Sequence, residues 1–172
     1  MYYYNREELG KLVMNIFFGA VFLFSIILDQ ITKKWALTVL KNGSSIKIIK
    51  DFLRFSYVEN RGAAFGILQN QIWFFVIITF IMIIFLAYMF FKYKNITNVS
   101  KLSIVLIAGG AIGNFIDRIT MGFVVDFIDV RFGNFYDFPV FNVADSFVVC
   151  GTILLIILML FNKFEKSENI NE

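Results

Sequence analysis

Asp126 and Asp145 stand out because each is a carboxylate set in strongly apolar sequence. Asp126 lies within "GFVVDFIDV", and Asp145 directly precedes the uncharged run 146–161. A carboxylate at position 126 should be desolvated, which would raise its pKa. Two such groups brought close in a low-dielectric pocket hold one proton between them and so place a general base beside a general acid. Such a pair could activate a water against a peptide carbonyl and protonate the departing nitrogen.

The composition excludes several other chemistries. The 172 residues include no His, and Cys150 is the only Cys. The commonest general base, the commonest metal ligand and every Ser-His or Cys-His arrangement are therefore ruled out. A Ser-Lys dyad would need a Lys at the depth of Ser146, but the only Lys residues near that face lie around Lys33. "GFVVD" also differs from the Gly-x-Gly-Asp motif of presenilin-type intramembrane proteases.

A bound cation is an alternative use of the acidic residues. Asp29, Asp117, Asp126 and Asp145 could supply oxygen ligands, which suit Mg²⁺ or Ca²⁺. No EF-hand-like or phosphate-cradling spacing supports this alternative. We therefore predict chemistry that needs neither a metal nor a cofactor.

The sequence around these residues is typical of a membrane protein. Hydrophobic residues make up 59% of the chain, which includes 23 Phe, and the mean hydropathy is +0.74; soluble domains are about 45–50% apolar. The uncharged run 72–91 has 20 residues, enough for a helix to cross a hydrocarbon core of about 30 Å. Shorter uncharged runs cover 12–28, 102–116 and 146–161. We predict one integral membrane domain, 1–172, with four transmembrane helices.

The first run has a cleaved signal peptide as its alternative. Arg6 and Lys11 precede it, as basic residues precede a signal peptide's apolar core. No small-x-small cleavage site follows the run. The pattern therefore favours a retained span.

Four helices joined in series alternate in direction, so some of their ends must share one membrane face. Asp29, Asp117 and Asp145 lie at three such ends, and Asp126 lies in the loop between two of them. We call this side the aspartate face. Lys and Arg number seven on the side of the N-terminus and nine on the aspartate face, so the positive-inside rule does not decide orientation on totals. The three Lys within 92–101 favour an inside N-terminus.

The connection between the first two spans has structure of its own. Residues 31–41 place Trp35 and other apolar side chains on one helical face, which predicts an amphipathic segment. Residues 46–58 alternate imperfectly and are rich in Ile, Phe, Tyr and Val, which predicts one or two short strands. The predicted fold is an all-α membrane protein with a small β element, in which the β-sheet and the amphipathic segment lie on the aspartate face.

Some of the polar residues have simple structural explanations. Asp29 and Lys33 are four residues apart, the spacing of an ion pair on a solvated helix face. Asn142 could be a helix N-cap, with Asp145 in the first turn, where the helix dipole favours an anion.

The remaining polar residues also have simple explanations. Asn114, Asp117 and Arg118 are spaced to form a self-satisfied cluster on the last turn of the third span. Asp129 and Asp137 are interpreted as residues of a solvated loop. Asp126 fits this explanation less well, because ionisable groups at membrane depth are usually functional.

Five short segments together resemble the lipoprotein signal peptidase (signal peptidase II) family. They are "DQITKKW", "NRGAAFG", "GNFIDR", "VVDFIDV" and "FPVFNVADS", which occur in this order between Asp29 and Ser146. The resemblance implies a four-span aspartyl endopeptidase of the bacterial cytoplasmic (inner) membrane. It also implies that both termini are cytoplasmic and that the active site lies at the extracytoplasmic face.

The resemblance also implies roles for individual residues. The family's catalytic dyad matches Asp126 and Asp145. Residues matching those that bind substrate or brace the site are Asp29, Lys33, Asn60, Gly62, Asn114, Asp117, Arg118 and Asn142. The implied substrate is a prolipoprotein with a diacylglyceryl-modified Cys, cleaved just before that Cys. The expected partners are this substrate and membrane lipid, with no cofactor, and the chain is expected to act as a monomer.

The sequence also bears on two other function classes. Nothing in the chain resembles the basic stripe of a nucleic-acid-binding protein, so no nucleic-acid partner is expected. A small proton-coupled transporter could use the same aspartates as a proton relay. Transporter acids should lie near mid-span, whereas these lie at span ends.

Overall fold

The computed structural model describes residues 5–62, 68–133 and 135–166, and these ranges contain four helices and four strands. Along the chain they are α1 (Arg6–Val39), β1 (Ile46–Ile49), β2 (Leu53–Asn60), α2 (Ile72–Lys92), α3 (Asn98–Met121), β3 (Val124–Phe132), β4 (Tyr136–Asp137) and α4 (Val143–Leu160). All four helices are long and apolar enough to cross a membrane. The predicted fold class, four transmembrane helices with a small β-sheet, is confirmed.

The first helix is much longer than its uncharged run. α1 has 34 residues, so it extends for about 51 Å at 1.5 Å per residue, whereas a hydrocarbon core is about 30 Å thick. The amphipathic segment predicted at 31–41 is helical, but it continues α1 as far as Val39 and is not a separate element. The sequence between Asp29 and Leu40 has no Gly or Pro that would end the helix.

The last turns of α1 support the sheet on the aspartate face. Their apolar side, which the sequence indicated correctly, contributes Ala36 and Leu40 to a buried cluster with Val125 and Phe127 of β3. The Trp35 ring packs edge-on against the Phe127 ring, with their centroids 6.0 Å apart. This packing fixes β3 over the ends of the helices.

The sheet is antiparallel, with its strands in the order β1-β2-β3-β4. β1 and β2 are the predicted strands, whereas β3 and β4 were not predicted. β2 pairs with β3 so that Val58 lies opposite Asp126 and Asn60 lies opposite Val124. The apolar run around Asp126 is therefore a buried strand, and its pairing brings Asn60 close to that carboxylate.

α3 is the central helix and packs against the other three. Gly113 permits the closest approach, because a Cβ there would lie 2.5 Å from Asp29 Oδ2 and 3.2 Å from the Ala144 Cβ. α3 ends at Gly122, whose φ of +75° gives the left-handed C-cap that glycine adopts without strain. The chain then enters β3 directly above the helix ends.

Candidate active site

Asp126 and Asp145 come from different elements and line the same pocket. Asp126 lies on β3 and Asp145 in the first turn of α4, and both border a cavity of about 710 Å³. Two amide side chains link them. Asn142 Nδ2 donates to Asp126 Oδ1 at 2.6 Å and to Asn114 Oδ1 at 3.1 Å, and Asn114 Nδ2 donates to Asp145 Oδ1 at 2.7 Å. The structure thus brings the two predicted carboxylates to one site.

The environment of Asp126 favours its protonated form. Burial raises the pKa of Asp126 to about 7, and the negative charge of Asp145 acts in the same direction. Hydrogen bonds from Asn60 and Asn142 oppose this rise in pKa. The predicted increase in the pKa of Asp126 is therefore confirmed. Near neutral pH this side chain can donate or accept a proton, as acid–base catalysis requires.

A capping box at the start of α4 fixes the Asp145 side chain. The Asp145 amide donates to Asn142 Oδ1 at 2.9 Å, and the Asn142 amide donates to Asp145 Oδ2 at 3.2 Å. The predicted N-cap is confirmed. Because Oδ2 is used by the cap and Oδ1 by Asn114, the carboxylate has one defined orientation in the pocket.

Beneath this pair lies a buried triad of Lys33, Asp29 and Asp117. Their exposed fractions are 2%, 0% and 1%, and the Lys33 ammonium lies 2.8 Å from Asp29 Oδ2 and 3.0 Å from Asp117 Oδ2. Lys33 Nζ also donates to Asn114 Oδ1 at 2.9 Å. The interpretation of Asp29 and Lys33 as a solvated surface pair is wrong, because α3 covers both side chains.

The carboxylates of the triad also receive backbone hydrogen bonds from neighbouring elements. Asp29 Oδ1 accepts from the Ala144 amide at 2.9 Å, and Asp117 Oδ2 accepts from the Val125 amide at 3.1 Å. The prediction of a self-satisfied cluster at the end of α3 is therefore wrong. Asn114 and Asp117 make hydrogen bonds to α1, α4 and β3 rather than to each other. The triad joins all of these elements below the pocket.

The four aspartates do not converge on a common point. The Lys33 ammonium lies between Asp29 and Asp117 and pairs with both of them. Among the described residues, no three His, Cys, Asp or Glu side chains are arranged to hold a metal ion. The cation site considered from the sequence therefore does not match the observed geometry.

Asn60 and Gly62 support Asp126 from the other side. Asn60 Nδ2 donates to Asp126 Oδ2 at 2.9 Å, and the Gly62 amide donates to Asn60 Oδ1 at 3.0 Å. This backbone bond orients the Asn60 amide so that its NH₂ group faces the carboxylate. The rest of the "NRGAAFG" segment, 63–67, lies outside the described residues.

Arg118 brings a cation to the same pocket. Its side chain borders the cavity that Asp126 and Asp145 line, and the guanidinium carbon lies 5.2 Å from the centroid of the Phe75 ring. Its Nε is buried and has no hydrogen-bond partner among the described residues. The arrangement leaves a donor available next to the two carboxylates.

Asp129 has a structural role that the sequence did not suggest. It is only 3% exposed, and it accepts from Arg54 Nε at 2.5 Å and from Ser56 Oγ at 2.8 Å. Burial opposes the change, but these bonds hold the pKa of Asp129 below its usual value. The prediction of a solvated loop is wrong for Asp129, whereas Asp137 is exposed as expected. Because Asp129 is three residues from Asp126 on a strand, it points to the opposite sheet face.

Comparison with known proteins shows which family the chain resembles. The family model described as signal peptidase (SPase) II matches residues 21–161. The lipoprotein signal peptidase of Clostridium novyi (strain NT) is 46% identical over 140 residues, which are 81% of this chain and 95% of that protein. That of Staphylococcus aureus (strain JH9) is 46% identical over 147 residues, 85% of this chain and 89% of that protein. The chain belongs to the signal peptidase II family.

Solved structures agree with the membership in this family. A bacterial membrane enzyme has a TM-score of 0.78 and 42% identity, covering 90% of this chain and 94% of that one. A second has a TM-score of 0.73 and 44% identity, covering 83% and 92%. The resemblance seen in the sequence is thus confirmed, and the chain is a multi-pass membrane peptidase with signal peptidase II function.

Part of the wall of the signal peptidase II pocket was not identified from sequence. Phe138 and Phe141 border it beside the sheet, and Val148 and Val149 border it along α4. Val149 is 54% exposed on a membrane-spanning helix, so the pocket continues towards the lipid-facing surface of α4. Phe138 and Phe141 lie in the segment "FPVFNVADS" that carries the family resemblance, but their apolar side chains gave no sign of a role in the site. Val148 and Val149 are ordinary apolar residues of a transmembrane run.

Proposed function

We propose that this chain is an aspartyl endopeptidase whose catalytic pair is Asp126 and Asp145. Its substrates are diacylglyceryl-modified prolipoproteins, which it cleaves just before the lipidated Cys. The observation that carries the proposal is the position of Asp126, a buried carboxyl with a pKa of about 7. It shares the bridging amides Asn114 and Asn142 with a second carboxylate in one pocket.

In the proposed mechanism the resting pair holds one proton, on Asp126, where burial favours the neutral acid. The Asp145 carboxylate takes a proton from water, and the water oxygen bonds to the carbonyl carbon of the scissile peptide. Asp126 gives its proton to the carbonyl oxygen, which forms a neutral tetrahedral intermediate.

Breakdown of the intermediate restores the pair. The C–N bond breaks, the nitrogen takes the proton that Asp145 received, and the hydroxyl of the intermediate returns its proton to Asp126. The products are the free carboxyl end of the signal peptide and the amino group of the lipid-modified Cys. Each carboxyl changes its protonation state twice, so the two act as one unit.

The neighbouring amides supply orientation in this mechanism. Lys33 can only donate, so Asn114 must turn its oxygen towards Lys33 and its NH₂ group towards Asp145. Asn60 and Asn142 donate to both oxygens of Asp126. We propose that Asp29 and Asp117 brace this set by holding Lys33, and that Arg118 and Gly62 line or support the pocket for the substrate.

The shape of the pocket supports entry of the substrate from the lipid. Its polar end lies below the sheet, and its apolar side includes Val148 and Val149 of α4. A signal peptide helix in the membrane could lie against this side and present its end to the carboxylates. The sheet would cover the pocket and exclude water, which strengthens the coupling between the two carboxyl groups. The last turns of α1 would support the sheet from its other face, where they pack on Val125 and Phe127.

The orientation proposed for the chain has both termini in the cytoplasm and the pocket at the extracytoplasmic face of the bacterial inner membrane. An even number of spanning helices places both ends of the described chain on one side, opposite the aspartate face. The three Lys of 92–101 lie on that same side, as the positive-inside rule favours. One chain supplies both carboxylates and the pocket, which supports a monomer as the working unit.

A cleavage assay with two precursors tests this proposal. Purified protein should cleave a precursor carrying the diacylglyceryl group on its Cys and leave the same unmodified precursor intact. Asp126→Asn should abolish the product, whereas the matched control Asp137→Asn, an exposed site, should cleave at the wild-type rate. Equal cleavage of both precursors would contradict the substrate assignment, and substantial cleavage by Asp126→Asn would contradict the mechanism.

A further inference from the structure

A second pocket lies near the membrane face opposite the aspartate face, where the described chain begins and ends. It is bordered by α1 and α2 with α3 as its floor, and its volume is about 510 Å³, within the range of about 300–1,000 Å³ typical of ligand pockets. Apart from Asn15 and Lys101, its lining residues are apolar. We call it the termini-side groove.

The length of the termini-side groove matches one leaflet of a bilayer. On α3 its lining extends from Lys101 to Ile112, a rise of about 16 Å at 1.5 Å per residue. Half of a hydrocarbon core of about 30 Å is about 15 Å. A single acyl chain of the adjacent leaflet would therefore lie along the whole groove.

The end of the groove nearest the membrane surface is positively charged. Lys101 lies in the first turns of α3, is half-buried, and has its Nζ 5.6 Å from the centroid of the Phe90 ring. Among the described residues no carboxylate lies within 4.0 Å of this ammonium. The α2–α3 connection contains no acid that would offset this charge.

From these features we infer that the termini-side groove binds one anionic phospholipid. Its acyl chain lies along α3 between α1 and α2, and its phosphate pairs with the Lys101 ammonium. Basic pockets between transmembrane helices commonly bind anionic headgroups in this way. A zwitterionic lipid would fill the same apolar space, but its own cation would lie near Lys101 and weaken the pairing.

Native mass spectrometry of the purified full chain would measure this preference. The probes are dioleoylphosphatidylglycerol and dioleoylphosphatidylcholine, which share their acyl chains and differ in net charge. One ammonium near the membrane surface should favour retention of the first lipid by about fivefold. Lys101→Gln should reduce this ratio to about one, whereas the matched control Lys94→Gln, outside the groove lining, should keep it.

A second pair of variants tests the groove independently of charge. Gly19 borders the groove and a Cβ there would meet no atom within 4 Å, so Gly19→Leu should fold and occupy the groove. Gly10→Leu is the matched control, since Gly10 is equally open but does not line the groove. With phosphatidylglycerol carrying a diazirine on its acyl chain, cross-links should map to 83–91 of α2 in the wild type and Gly10→Leu, and fall several-fold in Gly19→Leu.

Either of two results would overturn the inference. One is equal retention of the two lipids by the wild type, or an equal loss of preference in the Lys101→Gln and Lys94→Gln variants. The other is cross-linking that Gly19→Leu leaves unchanged. Either retention result would mean that the Lys101 ammonium extends towards water and does not pair with the phosphate. Unchanged cross-linking would mean that the lipid lies outside the groove.

Discussion

Replacing Lys33 with Met should destabilise the fold strongly, because it removes the only cation of the buried triad. Asp29 Oδ2, Asp117 Oδ2 and Asn114 Oδ1 would each lose a donor at 2.8–3.0 Å. Two carboxylates that are at most 1% exposed would then lie next to an apolar side chain. Breaking a buried ion pair by removing one partner costs about 3–5 kcal/mol.

The expected change is large enough to measure by thermal unfolding in detergent. For a chain of this size, about 3–5 kcal/mol corresponds to a Tm lower by roughly 6–20 °C. Lys41→Met is the matched control, since Lys41 pairs with Glu59 at 3.3 Å while 45% exposed. The free energy of unfolding of that variant should fall by less than about 1 kcal/mol. Equal decreases in Tm for the two variants would refute the description of the triad as buried.

A rescue variant separates the two roles of Lys33. Adding Asp29→Asn and Asp117→Asn to Lys33→Met removes both uncompensated charges, so much of the lost Tm should return. Cleavage should remain slow in the rescued protein, because Asn114 would still lack the donor that orients its amide towards Asp145. Recovery of both Tm and cleavage rate would show that Lys33 does not orient the site.

Three further predictions concern the sheet residues Asp126 and Asp129. Cleavage should slow as the pH rises through about 7, where Asp126 loses its proton; a rate unchanged from pH 5 to 9 would contradict this. Because folding raises the pKa of Asp126, the contribution of this side chain to stability is present at low pH and is lost as the pH rises to about 7. The Tm of Asp126→Asn relative to that of the wild type should therefore be higher at pH 8 than at pH 5. Asp129→Asn should lower the free energy of unfolding by about 1–2 kcal/mol through its bonds to partly exposed Arg54 and to Ser56. The Asp129→Asn variant should still cleave at the wild-type rate. A loss of cleavage at unchanged Tm would contradict a purely structural role for Asp129.

The sequence predicted the features that depend on composition and chain direction. The uncharged runs predicted the four helices. The alternating helix direction predicted that Asp29, Asp117 and Asp145 share one membrane face, and in the structure these side chains are linked there through hydrogen bonds and ion pairs of neighbouring residues. The N-cap at Asn142 followed from local preference alone. Each of these features is set by residues close in sequence or by the geometry of a membrane crossing.

Features that depend on long-range packing were not predictable in the same way. Asp29 and Lys33 have the spacing of a surface pair, and only the arrival of α3 with Asp117 makes them a buried triad. The charged residues Asp126 and Asp129 of β3 are three apart, so the strand shows no simple alternation of apolar and polar residues. Only pairing with β2 reveals Asp129 as a partner of Arg54. Local sequence does not contain the identity of a partner about 75 residues away.

The central claim is that Asp126 and Asp145 act as one acid–base pair, and kinetics of three variants test it most directly. Asp126→Asn, Asp145→Asn and the double variant should be compared on the diacylglyceryl-modified precursor, with folding checked by Tm. We predict that each single variant loses at least about 10³-fold in kcat/KM and that the double variant loses no more. Losses that multiply in the double variant, or a single variant that keeps substantial activity, would contradict the claim.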